Sequence, residues 1–209
     1  MQYSTALSDG LLALACLAST LWLRPAFRWR TVQRALLLGF GLPLSAAFCG
    51  MVRYGLDPDW SNWHRTFSQL SSYLGLPLLG MASVSLSRGQ DWPRRTWTLL
   101  MVGLVLLNSA SHWFDLQLTY RLLLGLLTLL LILYAGALHW RHVAPTLTAV
   151  SVVTLFLLAG LVVGTEGFIG PLRRVDLFHG LLSLAYPLLA WLLLRLQGCA
   201  RAEIPVKTL

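Results

Sequence analysis

Three of the chain's five histidines head polar stripes in otherwise apolar sequence. His112 shares a helical face with Asn108 and Asp115, and Ser111 stands beside it. His179 lies at the same kind of spacing from Asp176, Ser183 and Tyr186. His64 is followed by Ser68 and by Ser71 or Ser72. A catalytic zinc centre needs three protein ligands and an open fourth position, and neutral imidazole is a common ligand. A zinc held by His64, His112 and His179 would carry a water that ionises near about pH 7. Asp115 or Asp176 would then act as general base or orient a ligand imidazole. Ser68, Ser111, Asn108 and Tyr186 would help polarise a carbonyl.

Plainer roles stand beside these. A histidine at a membrane boundary also works as an amphipathic anchor, and Asp115 and Asp176 also suit helix caps or topology signals. No HExxH or comparable ligand spacing occurs, so the case rests on three imidazoles at one depth. His139 and His142 flank Trp140 and Arg141 and read as interfacial anchors. Cys16, Cys49 and Cys199 fit neither a disulfide framework nor a CxxC site, and read as small apolar fillers. A haem held between His112 and His179 or His64 is another use of the same residues, although no CxxCH is present.

The elements that must position these residues are transmembrane helices. Apolar runs of the length a bilayer requires occur at about 7–23, 35–53, 66–86, 96–114, 121–139, 146–164 and 178–195. They predict an all-α, seven-helix bundle that is one membrane domain over residues 1–209, with a six-helix bundle as the alternative. The first run lacks the positive leader of a cleaved signal, and Arg24, Arg28, Arg30 and Arg34 follow it instead, as behind an N-out anchor. With the N-terminus outside, the inner segments hold 11 basic residues against two acids, and the outer segments hold five against six. That asymmetry follows the positive-inside rule and predicts an N-out, C-in multi-pass protein of a bacterial inner or plasma membrane. Eight of nine tryptophans fall near the predicted helix ends, as an aromatic belt requires.

Composition agrees. Of the 209 residues, 56% are hydrophobic and 11% charged, against about a quarter charged in soluble domains. A net charge of +8 would otherwise suggest nucleic acid. Here the charge is an orientation signal, so the partners expected are the bilayer and a lipid-like small molecule, not nucleic acid.

Seven helices, N-out and C-in, with His and Asp on nonadjacent helices, resemble the superfamily of alkaline ceramidases, adiponectin receptors and Per1-like proteins. Asn108-Ser-Ala-Ser-His112 stands roughly where that family's S-x-x-x-H motif would be. Asp115 or Asp176 resembles the family aspartate, and His179 is similar to a last-helix ligand. The resemblance implies a zinc held by three histidines beside a Ser and an Asp, and hydrolysis of lipid amides. This chain departs from the pattern at Asn108, where the family has Ser, and at Ser183, where a second histidine would follow His179.

The leading expectation is a zinc-dependent membrane hydrolase acting on an amide or ester bond of a lipid-like substrate at the outer side. One alternative is a noncatalytic transporter, receptor or complex subunit with an outward-facing His/Asp site for a ligand or proton. The other is a b-type haem electron-transfer protein.

Overall fold

A segment buried in hydrocarbon must satisfy its own backbone N–H and C=O groups, so each apolar run is driven into a helix. The computed structural model describes residues 2–24 and 30–203. Arg28 and Trp29 of the first basic loop and Lys207 of the tail lie outside the described residues. In chain order the elements are α1 (Tyr3–Leu23), α2 (Arg30–Gly55), a 3-10 turn (Pro58–Trp60), α3 (Ser61–Leu70), a π-helical turn (Ser71–Gly75) and α4 (Leu76–Ser87). They continue as α5 (Arg94–Trp113), α6 (Gln117–Ala137), α7 (Val143–Leu157), a second π-helical turn (Leu158–Val163), β1 (Phe168–Ile169), β2 (Leu172–Arg173) and α8 (Arg174–Glu203).

Each of the seven expected stretches is helical. All seven begin earlier than hydropathy predicts, because a helix is ended by its backbone hydrogen bonds and not by the edge of its apolar run. Among the described residues six helices are long and apolar enough to cross a membrane: Tyr3–Leu23, Thr31–Gly55, the continuous rod Pro58–Ser87, Gln117–Ala137, Val143–Val163 and Arg174–Ala200. The 21 residues of α6 rise about 31 Å, the thickness of a bilayer's hydrocarbon core. The 20-residue α5 stands outside this set because Arg94, Arg95, Asn108, Ser109, Ser111 and His112 dilute its apolar run.

Small residues set the helix crossings, as expected where lipid removes the hydrophobic drive between helices. A Cβ on Gly136 of α6 would lie 2.5 Å from the Ala149 Cβ of α7, and one on Gly80 of α4 would lie 2.8 Å from Thr128 of α6. Between α1 and α2, Gly50 faces the Asp9 side chain, and Gly55 faces Ala6. The end of α2 meets the start of α1, where the Gln2 amide donates to the Tyr54 carbonyl at 2.9 Å. α8 is the central helix: Ala185, Leu189, Ala190, Leu192, Leu193 and Leu196 are buried against α1, α4 and α7. α5 lies on the periphery, with Leu99, Val102, Leu106 and Leu107 exposed.

Two interruptions shape one end of the bundle. Pro77 has no N–H for the Tyr73 carbonyl, and the helix widens into the π-helical turn immediately before it. The second π-helical turn closes with the Gly164 amide on the Ala159 carbonyl at 2.8 Å, and Gly164 has φ +66°. A short antiparallel hairpin follows, pairing Phe168 with Arg173 and Ile169 with Leu172. Its turn uses Gly170 at φ +57°, a left-handed conformation that suits glycine. This hairpin is an addition to the all-helical expectation.

Candidate functional site

The two π-helical turns and the hairpin border one cavity of about 920 Å³ at the end of the bundle where α1 and α8 begin. Its lining comes from α1, α2, α3, α6, α7, α8 and the first residue of α4, with Ser71 and Ser72 from the first π-helical turn and Gly160 and Leu161 from the second. π-helical turns recur at functional sites because the extra residue redirects side chains and frees backbone groups. The floor is aromatic: Tyr186 meets Phe40 and Phe156 edge-on, at centroid distances of 5.9 and 5.5 Å.

His64 and His179 both line this cavity. His64 lies in the first turn of α3, and its Nδ1 sits 3.0 Å from the Ala46 carbonyl of α2. A carbonyl can only accept, so Nδ1 carries a proton and Nε2 is the nitrogen left for a ligand. His179 is buried in the second turn of α8, with Nδ1 3.2 Å from the Ser8 hydroxyl and 3.3 Å from Asp9 Oδ1. Neither Nε2 has a hydrogen-bond partner among the described residues.

Asp9 is the most unusual group in the cavity wall. It is 1% exposed, and neither carboxylate oxygen has a hydrogen-bond partner among the described residues. Its approach to His179 is an ion-pair distance without hydrogen-bond alignment. The carboxylate lies flat against α2: a Cβ on Gly50 would fall 2.4 Å from Oδ2 and 2.9 Å from Oδ1. Glycine here is a cradle for the acid, since any side chain would displace the carboxylate. Beside the pair, the Ser8 hydroxyl lies 3.3 Å from Asp176 Oδ1 and 3.0 Å from the Thr5 carbonyl. Asp176 occupies the first turn of α8, where a negative charge suits the helix dipole.

Four arginines complete the lining: Arg53 from the last turn of α2, Arg65 from α3, Arg121 from α6 and Arg173 from β2. Against them Asp9 is the one carboxylate among the lining residues.

The remaining expected site residues stand elsewhere. His112 is exposed at the end of α5, where its Nδ1 lies 3.1 Å from Gln117 Nε2, and it does not line the cavity. Asn108 and Ser111 share α5, and the Ser111 hydroxyl is spent on the Asn108 carbonyl at 2.7 Å. Asp115 is an exposed turn residue with φ +54°, a conformation aspartate tolerates, and it joins α5 to α6. The expected convergence of three imidazoles therefore becomes a pair. α5 packs against α6 and the π-helical turn at the bundle's edge, which keeps its polar stripe away from the other two histidines. Among the described residues no group of three or more His, Cys, Asp or Glu side chains is placed to hold a metal ion.

Ser8, His179 and Asp9 also fall short of a nucleophilic triad. A relay needs the serine on one imidazole nitrogen and the carboxylate on the other, whereas here both meet Nδ1. His139 departs from its expected role as an interfacial anchor. It is buried, and its Nε2 sits 3.0 Å from the Ser87 carbonyl at the end of α4.

Asp9 and Ser8 escaped the sequence reading because Asp9 counts naturally as an outer-face charge. The available signal was its position inside the first apolar run, where an acid is costly and marks a site.

The chain belongs to a protein family of unknown function, DUF6962, whose sequence profile matches residues 4–197. No curated protein and no solved structure matches it.

Proposed function

We propose that this protein is a noncatalytic membrane carrier or receptor whose end cavity binds a small ligand, with Asp9 and His179 as its proton-exchanging contact. The chain crosses the bilayer seven times, α5 included, with its N-terminus outside and its C-terminus in the cytoplasm. The exposed apolar residues of α5 and the basic residues Arg24, Arg34, Arg88, Arg94 and Arg141 at the opposite end from the cavity support that arrangement. The cavity then opens to the outer side.

The observation that carries this reading is the Asp9 carboxylate. A buried acid inside a bundle is expensive unless a proton or a partner neutralises it, and proteins retain such groups where they act. Asp9 has His179 at 3.3 Å, and His179, whose Nε2 has no hydrogen-bond partner among the described residues, lines a cavity large enough for a ligand. One proton shared between carboxylate and imidazole can be exchanged with the cavity as a ligand arrives or leaves. The histidine and aspartate do not form a hydrolytic relay, so binding is favoured over catalysis.

Infrared difference spectroscopy on the protein in lipid nanodiscs tests this across about pH 4 to 10, wide enough for shifted carboxyl and imidazole groups. The expected result is a protonated-carboxyl band that titrates together with an imidazole signal. It disappears in Asp9→Asn and shifts in His179→Gln. A spectrum with no Asp9-dependent change in that range would overturn the reading.

A further inference from the structure

Beside Asp9 and His179 the cavity carries four arginines that no carboxylate among the described residues pairs directly. Among the described residues none of Arg53, Arg65, Arg121 and Arg173 has a carboxylate at ion-pair distance. Arg53 lies over the Tyr54 ring at 4.7 Å, Arg173 over the Phe168 ring at 5.7 Å, and Arg121 Nε donates to the Gln117 carbonyl at 3.4 Å. None of these contacts uses the terminal guanidinium nitrogens, which present paired donors suited to a carboxylate or phosphate. Arg53 and Arg65 come from the neighbouring helices α2 and α3, Arg121 and Arg173 from the distant α6 and β2, and all four line one space.

Beyond them the wall is apolar. Leu76, Leu126, Leu129, Phe156 and Leu182 line the same cavity, on helices that run into the bundle. A chainless anion has no use for that wall, and a neutral lipid has no use for four guanidinium groups. A volume of about 920 Å³ is ample for one ligand of ordinary size, since ligand sites run to about 1,000 Å³.

We propose that the cavity binds a single-chain anionic amphiphile, an acyl chain bearing a carboxylate or phosphate head. The head sits among Arg53, Arg65, Arg121 and Arg173, and the chain lies along Leu126, Leu129 and Phe156. This rests on the ligand-binding reading above and names its ligand class. The ligand's charge also gives the Asp9 proton a purpose. An anionic head entering beside an ionised Asp9 would be repelled, so binding and protonation of the Asp9–His179 pair favour one another.

The test is displacement of a dansyl-labelled fatty acid from the purified full-length protein in micelles, with protein-free micelles as the blank. Oleate is expected to displace the probe at least tenfold better than oleyl alcohol, which has the same chain and no charge. Oleoyl lysophosphatidate separates a phosphate head from a carboxylate, and acetate and inorganic phosphate separate a free anion from an amphiphile. Arg121→Gln should weaken oleate about tenfold, the scale of one lost charge-assisted hydrogen bond, with partial recovery in Arg121→Lys. Leu126→Trp, which fills the apolar wall and leaves every arginine in place, should weaken oleate without changing the preference for charge. Gel filtration shows whether each variant is folded.

Equal displacement by oleate and oleyl alcohol would overturn the proposal, and so would displacement by phosphate alone. No displacement by any amphiphile would overturn it too. If the Asp9 carboxyl band still titrates in that last case, the proton-exchanging site survives and only its ligand class is wrong. If the band is missing as well, both readings fall.

Discussion

Gly50→Ala probes the seating of the Asp9 carboxylate with a single methyl group. The new Cβ would lie 2.4 Å from Oδ2, 2.7 Å from Cγ and 2.9 Å from Oδ1, about 1 Å inside ordinary van der Waals contact at its closest. Asp9 is 1% exposed and cannot swing into solvent, so either the carboxylate leaves His179 or α1 and α2 separate. Overpacking of this kind costs about 1–3 kcal/mol, and replacing a mid-helix glycine by alanine returns up to about 1 kcal/mol. The net expectation is destabilisation by about 1–2 kcal/mol, with loss of the Asp9 carboxyl titration. Reversible unfolding in mixed micelles, followed by tryptophan fluorescence, measures the first, and infrared spectroscopy the second. Gly41→Ala is the control: nothing lies within 4 Å of its Cβ, so it should be neutral or stabilise slightly. In an Asp9→Ala background the clash is gone, and Gly50→Ala should no longer destabilise, giving a coupling of about 1–3 kcal/mol. Additive single-mutant effects, or a Gly50→Ala protein with an unchanged Asp9 band, would refute the argument.

Further outcomes follow from the same geometry. Gly136→Ala should destabilise by about 1–3 kcal/mol, because its Cβ would meet the Ala149 Cβ at 2.5 Å, and Ala149→Gly should restore stability in the same unfolding assay. His112→Ala should leave both the Asp9 band and probe binding unchanged, whereas His179→Ala should alter both. If zinc analysis of the purified protein found one metal ion that His112→Ala removed, the separation of His112 from the cavity would be wrong. Pro77→Ala returns a backbone donor to the Tyr73 carbonyl and should let the π-helical turn relax toward α-helix. The labelling rate of a cysteine placed at Ser72 would then change, while one at Thr98 in α5 would not. A fluorescent protein fused to the C-terminus should fold and fluoresce, as it does on the cytoplasmic side, and a dark fusion would reverse the orientation.

Much of the helical framework was legible because each apolar run must bond its own backbone wherever it sits. The polar stripes were legible as well. Ser68, Ser71, Ser72 and Tyr186 do reach the cavity alongside His64 and His179. The third stripe was equally regular and led elsewhere, since Asn108 and Asp115 share a face with His112 on a helix packed at the bundle's edge. Periodicity reports which residues share a face of one helix. It carries no information about which neighbour that face meets.

What the sequence determined by itself is therefore local and solvent-driven: membrane class, helical segments, the split of charge between the two ends, and the residues able to do chemistry. Those properties depend on how each short segment responds to hydrocarbon and water. Only the tertiary structure decided which groups meet. Asp9 and His179 are 170 positions apart, and their contact exists because α1 packs between α2 and α8 with Gly50 leaving room for a carboxylate. The same packing gathers four arginines from four elements around one cavity and leaves His112 outside it. Helix order and helix rotation are set by many weak contacts acting together, which no single stretch of chain encodes.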